Sequence, residues 1–191
     1  MRLQEARIHR LAYSGDLEEV RNEVRRGADL EARDYNYMTP LHVACLKGHE
    51  GIACLLIEHG AEVDSNDVSR MTPFHSVCVG YQINPGACYR IAKLLLENGA
   101  DVNSQDTEKF RPLHGSVLCG DEDLIYLLLQ YGANIDAKNE DGSTALHLAA
   151  GRGDRQIVDL LLRNGANHYL RDCDGKTAQD VAKPGFVVKL N

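Results

Sequence analysis

The 191-residue chain has no run of about 18 apolar residues, so no stretch of it reads as a transmembrane helix. Met1-Arg2-Leu3-Gln4-Glu5 carries charge from the outset, and the apolar core of a secretory leader is missing. Positive charge is not in excess either. Lys and Arg number 21 against 28 Asp and Glu, a net charge of −7, which argues against a nucleic-acid partner, since such binding depends on cations neutralising phosphates. The six cysteines contain no C-x-x-C pair and no spacing of a metal site. Several fall on helical apolar faces, where a thiol acts as a small hydrophobe. Reduced structural thiols and a cytoplasmic or nuclear location are therefore expected. Also absent are G-x-S-x-G, G-x-x-x-x-G-K-[ST] and H-E-x-x-H, so no enzyme, cofactor or metal is expected.

What the chain does have is a repeat. Thr39-Pro40-Leu41-His42, Thr72-Pro73-Phe74-His75, Arg111-Pro112-Leu113-His114 and Thr144-Ala145-Leu146-His147 begin 33, 39 and 33 residues apart. Gly-Ala pairs at Gly27, Gly60, Gly99, Gly132 and Gly165 keep the same register, including its one long step. The chemistry of one period is readable. Thr39 suits a helix N-cap and Pro40 the first helical position, where its missing N–H costs nothing. His42–Leu46 is short and apolar. Ile52, Leu55 and Leu56 then recur at helical spacing before Gly60, a residue fitted to the left-handed turn after a helix. Asp34-Tyr35-Asn36-Tyr37-Met38 is turn chemistry for a projecting tip. Each period thus predicts tip, short helix, turn, longer helix. One helix pair cannot bury both of its apolar stripes, whereas stacked pairs can.

On these residues the chain resembles the ankyrin-repeat family, whose period is 33 residues and whose signature contains T-P-L-H. The resemblance spans essentially the whole chain. It implies an all-α solenoid of stacked helix-turn-helix units with projecting β-hairpin tips. As one domain over 1–191, the repeats run 1–33, 34–66, 67–105, 106–138 and 139–171, with a partial cap at 172–191. In the cap, Phe186-Val187-Val188 either folds over the last full repeat or marks a cut chain. The third repeat holds a six-residue insertion near 80–87, where Gly80, Pro85 and Gly86 predict a surface loop, not a longer helix. Arg111 stands where a capping Thr is expected, at a cost of about 1 kcal/mol. Tyr37, Arg70 and Lys109 hold the tip position that in this family is usually Gly.

The histidines at equivalent positions, His42, His75, His114 and His147, cannot share a metal. Neighbouring helices lie about 8–10 Å apart, too far for ligand bonds of about 2 Å. Hydrogen bonds between neighbouring tips are expected of them instead, with His9 extending the row. Asp121-Glu122-Asp123 reads as acid at a helix start, favoured by the helix dipole. Leu95 to Asn103 resembles the stretches in ankyrin repeats that receive asparaginyl hydroxylation, which makes Asn103 a modification candidate. The alternative is an Asn that bonds its own turn; Asp64 and Asp136 hold the equivalent places.

The family resemblance also implies that tips and first helices line a concave groove that binds a partner protein or peptide. Its variable positions here are Tyr35, Met38, Leu46, Met71, Val79, Phe110 and Leu118, an apolar seam, with Lys47, Glu108 and Glu140 setting register and rim charge. The competing reading has these side chains packed sideways on adjacent tips. The whole −7 falls in the repeats 34–66 and 106–138. That points to a partner with basic residues beside an apolar anchor, and the chain alone is expected to be monomeric. Two other functions stay open: an assembly or scaffold element that self-associates through its ends, and a regulatory domain of a larger protein.

Overall fold

A computed structural model describes residues 3–80 and 84–188, with side chains from residue 7 onward. Among the described residues there are ten helices and no strand. They are α1 (Leu3–Ser14), α2 (Leu17–Arg25), α3 (Pro40–Lys47), α4 (Glu50–Glu58), α5 (Pro73–Gly80), α6 (Pro85–Glu97), α7 (Pro112–Cys119), α8 (Glu122–Gln130), α9 (Ala145–Arg152) and α10 (Arg155–Arg163). The chain divides into two compact units, 1–104 with α1 to α6 and 105–191 with α7 to α10.

In the first unit α3 packs between α1 and α5, and α4 between α2 and α6, so first helices form one layer and second helices another. Ile8, Leu41, Phe74, Ile52, Leu56, Ile91 and Leu95 fill the space between the layers, each almost wholly buried. In the second unit α7 packs on α9 and α8 on α10, closing over Leu124, Ile125, Leu128, Leu146 and Ile157. A pair such as α3 and α4 has no second apolar surface of its own to cover its stripe, so burial is completed by the neighbouring pair.

Capping defines the helix ends. Thr39 Oγ1 accepts from the His42 N–H at 3.4 Å, while Asp16, Asp121 and Asp154 accept from N–H groups at the starts of α2, α8 and α10. At Arg111 the half of the cap that remains comes from His114, whose Nδ1 accepts the Arg111 N–H at 3.0 Å. Gly48, Gly120 and Gly153 end α3, α7 and α9 with φ between 69° and 79°, where a left-handed residue frees two N–H groups to bond back into the helix.

The insertion departs from expectation. Residues 81–83 lie outside the described residues, but Pro85, Gly86 and Ala87 are helical, and α6 has 13 residues against nine in each of α2, α4, α8 and α10. Asn84 Oδ1 accepts the Ala87 N–H at 3.3 Å, with Pro85 at the first helical position. Asn-Pro is here a helix start, not a break. Gly80 is the last residue of α5, and a Cβ there would collide with the backbone carbonyl of Leu46 on α3.

At the C-terminal end, Val188 is buried and its N–H donates to Gln179 Oε1 at 2.7 Å. The Arg155 guanidinium lies 5.0 Å from the centre of the Phe186 ring. Phe186 thus lies against α10 of the last full repeat, while Val187 is exposed.

Candidate partner-binding surface

Each tip is organised by its first residue. The Asp34 carboxylate accepts the N–H groups of Asn36 and Met38 at 2.8 and 2.9 Å. Asp67 does the same for Ser69 and Met71, and Asp106 for Glu108 and Phe110, all at 2.8 Å. The hairpin is reduced to a turn closed by the Asp34 N–H on the Met38 carbonyl. Adjacent tips are tied by one main-chain bond. Val68 N–H donates to the Asn36 carbonyl at 3.0 Å in the first unit, and Glu140 N–H to the Glu108 carbonyl at 2.8 Å in the second.

The histidine row fixes the height of each tip above its helix. His42 Nδ1 accepts the Thr39 N–H at 3.1 Å, which leaves the proton on Nε2, and Nε2 donates to the Met71 carbonyl at 3.0 Å. His9 reaches the Met38 carbonyl at 2.8 Å and His147 the Lys176 carbonyl at 3.1 Å. His114 Nε2 reaches the Ala137 carbonyl at 3.0 Å. Burial holds the His42 imidazole below its ordinary pKa, against the opposing pull of the Met71 carbonyl. No group of three or more metal-ligating side chains assembles among the described residues.

The expected seam separates by depth. Tyr35 is 85% exposed, Val79 60% and Leu118 43%. Met38, Leu46, Met71 and Phe110 are half-buried, and the Phe110 ring sits 5.0 Å from that of His114. Glu108 and Glu140 are exposed, their main chains joined by the tip-to-tip bond. Lys47 is half-buried, with its ammonium 3.9 Å from the centre of the Tyr13 ring. Tyr13 occupies the place in α1 that Leu46, Val79 and Leu118 occupy in α3, α5 and α7, so the repeat register finds it as an open position of the first repeat, outside the seam; its contact with Lys47 does not follow from register.

Charge is placed less simply than the net total suggests. In the repeat 34–66, Glu50 pairs with Arg90 at 2.6 Å and Asp64 accepts the Asp101 N–H at 3.0 Å, both away from the tips. Burial pushes the Asp64 carboxyl up from its usual range. Glu31 and Asp136 accept the N–H groups of Glu62 and Asn167 in the same manner, each at 2.8 Å. Asn103, in the same register, has its own N–H bonded to Asp101 Oδ1 at 2.8 Å. Of the six cysteines, Cys45, Cys78 and Cys88 are buried, and desolvation pushes the Cys45 thiol far up.

The family model for ankyrin repeats (three copies) matches residues 8–106 and 113–183. The chain belongs to the ankyrin-repeat family. The ankyrin fold is also seen in a crystal structure of the ankyrin repeat domain of Bcl-3, a member of the IkappaB protein family. It matches at a TM-score of 0.82 and 30% identity, over 95% of this chain and 79% of that one. Among curated relatives, mouse protein phosphatase 1 regulatory subunit 27 is 46% identical over 52 residues, 27% of this chain and 34% of the relative. Human ankyrin repeat domain-containing protein 7 is 38% identical over 53 residues, 27% of this chain and 21% of the relative. The chain thus spans about a third or less of the curated relatives it matches. Ankyrin repeats are generally protein-interaction modules and typically non-catalytic. No described helix is long and apolar enough to cross a membrane.

Proposed function

We propose that the chain is a non-catalytic module that binds a partner protein or peptide through the groove of its tips and first helices. The observation that carries this reading is the exposure of Val79 and Leu118, large apolar groups at equivalent places on α5 and α7, together with that of Tyr35 on a tip closed by main-chain bonds. Apolar and aromatic groups held rigid and open to solvent are typical of interface centres. Half-buried Met38, Leu46 and Met71 belong to the seam in the first unit and Phe110 to it in the second. In the second unit, Glu108 and Glu140 suit basic residues placed beside the partner's apolar anchor. The relative named as a regulatory subunit of protein phosphatase 1 is in keeping with a partner-binding role. Asn103 stays a candidate for hydroxylation, which mass spectrometry of the native protein would detect as one added oxygen.

The best test avoids the half-buried positions, since Met71 lends its carbonyl to His42 and Phe110 packs on His114. Val79→Glu with Leu118→Glu should remove partner capture from cell lysate while leaving the helical circular dichroism of the wild type. Capture of the same proteins by the double variant would overturn the assignment.

A further inference from the structure

The fourth position of the tips is left-handed throughout. In the second unit Gly142 and Gly175 occupy it, with φ of 73° and 77°. Tyr37 at φ 62° and Arg70 at φ 60° take it in the first unit, and Lys109 at φ 57° in the second. A side chain with a Cβ is disfavoured there, and glycine would relieve the strain. Tyr37 and Arg70 are both exposed, and among the described residues neither side chain forms a hydrogen bond or ion pair that would offset the cost. Backbone strain of this kind clusters at positions that contact ligands or partners.

The charge around these two residues states what that something is. Lys47 rests on the Tyr13 ring, and among the described residues no carboxylate pairs with it. Asp34 and Asp67 turn into their own tips, each accepting two main-chain N–H groups. α3 and α5 carry no acidic residue at all, and Glu50 is held by Arg90. With Tyr35, Tyr37, Val68, Val79 and Arg70 exposed and Lys47 half-buried on the same tips and first helices, what the first unit presents there is apolar and cationic, although the repeat 34–66 is the most acidic in the chain.

We propose that this face of the first unit seats an acidic segment of a partner protein, its carboxylates met by Arg70 and Lys47 and its apolar anchor by Tyr37, Val68 and Val79. The assignment rests on the partner-binding reading above and gives that partner its chemistry. Arginine at an exposed, strained tip presents a planar donor pair matched to a carboxylate. Lysine on an aromatic face keeps its charge while its position is fixed.

The probe is a displayed library of random 16-residue peptides selected on the full chain, with the enriched peptides then synthesised and titrated by fluorescence anisotropy. The expected peptides pair two or more Asp or Glu with an aliphatic or aromatic anchor. Arg70→Gly should weaken their binding at least fivefold while raising the melting temperature, and Lys47→Ala should weaken binding similarly. Opposite signs for stability and affinity at Arg70 are the signature, since a merely structural residue would move both together. Enriched peptides without excess acid, or affinity unchanged in Arg70→Gly, would overturn the acidic-partner assignment and leave the binding face standing. Peptides that bind Val79→Glu as well as wild type, or no enrichment at all, would overturn the binding face together with it.

Discussion

His42 joins its own helix start to the next tip through opposite sides of one ring. Nδ1 must stay unprotonated to accept the Thr39 N–H, and Nε2–H must stay protonated to donate to Met71. Burial lowers the folded pKa from 6.5, so the unfolded chain takes up a proton first as the pH falls. The contribution of His42 is thus complete above about pH 6.5 and is lost from there down to the lowered folded value. Melting temperatures across pH 7.5 to 5 should decline, and His42→Gln should flatten that slope, since Gln at the same position can still cap Thr39 but does not titrate. An equal slope in the variant would assign the pH dependence elsewhere. The Thr39 cap was legible in the sequence because its bond lies within four residues, and the tip bonds of the histidines because one ring recurs in each period. The Lys47–Tyr13 contact was not, because it depends on how two side chains lean across adjacent repeats.

At the scale of elements, α6 shows where local reading misleads. Pro85-Gly86 reads as loop punctuation, yet Asn84 caps the helix and Pro85 opens it. Asn84→Ala should cost about 1 kcal/mol of stability by removing the bond to the Ala87 N–H, measurable by urea denaturation. If α6 drew its start from packing alone, the midpoint would not move. Second helices of nine residues followed from the 33-residue period, whereas how much of an insertion becomes helix depends on whether its first residues can cap. The site was legible to a similar degree. Repeat register identified Val79 and Leu118 as open positions, but summed charge could not tell that Asp34 and Asp67 turn inward while Arg70 turns out. Direction of a carboxylate is a tertiary property, and composition does not carry it.

For the molecule as a whole, stability is divided among local interfaces. Gly80 is the point of closest approach of α5 to α3, and its replacement by Ala drives a methyl group into the Leu46 carbonyl. The expected loss is about 1–3 kcal/mol. Hydrogen exchange should show it as faster opening within residues 1–104, with residues 105–191 closer to wild type. Uniform loss of protection across the chain would show that the two units unfold as one.

The histidine bonds carry an evolutionary consequence. His9 to Met38, His42 to Met71 and His147 to Lys176 each span 29 residues, less than one period. A segment copied over one full period therefore brings both a donor ring for the next copy and an acceptor carbonyl for the previous one. Duplication or loss of such a segment preserves this bond at the junctions built as those three are. The insertion near 80–87 takes in the end of α5 and the start of α6 and leaves the tips outside it. Chain length in such a protein is free to drift by whole cassettes, while the tip residues Tyr37 and Arg70 can diverge separately and retarget each copy.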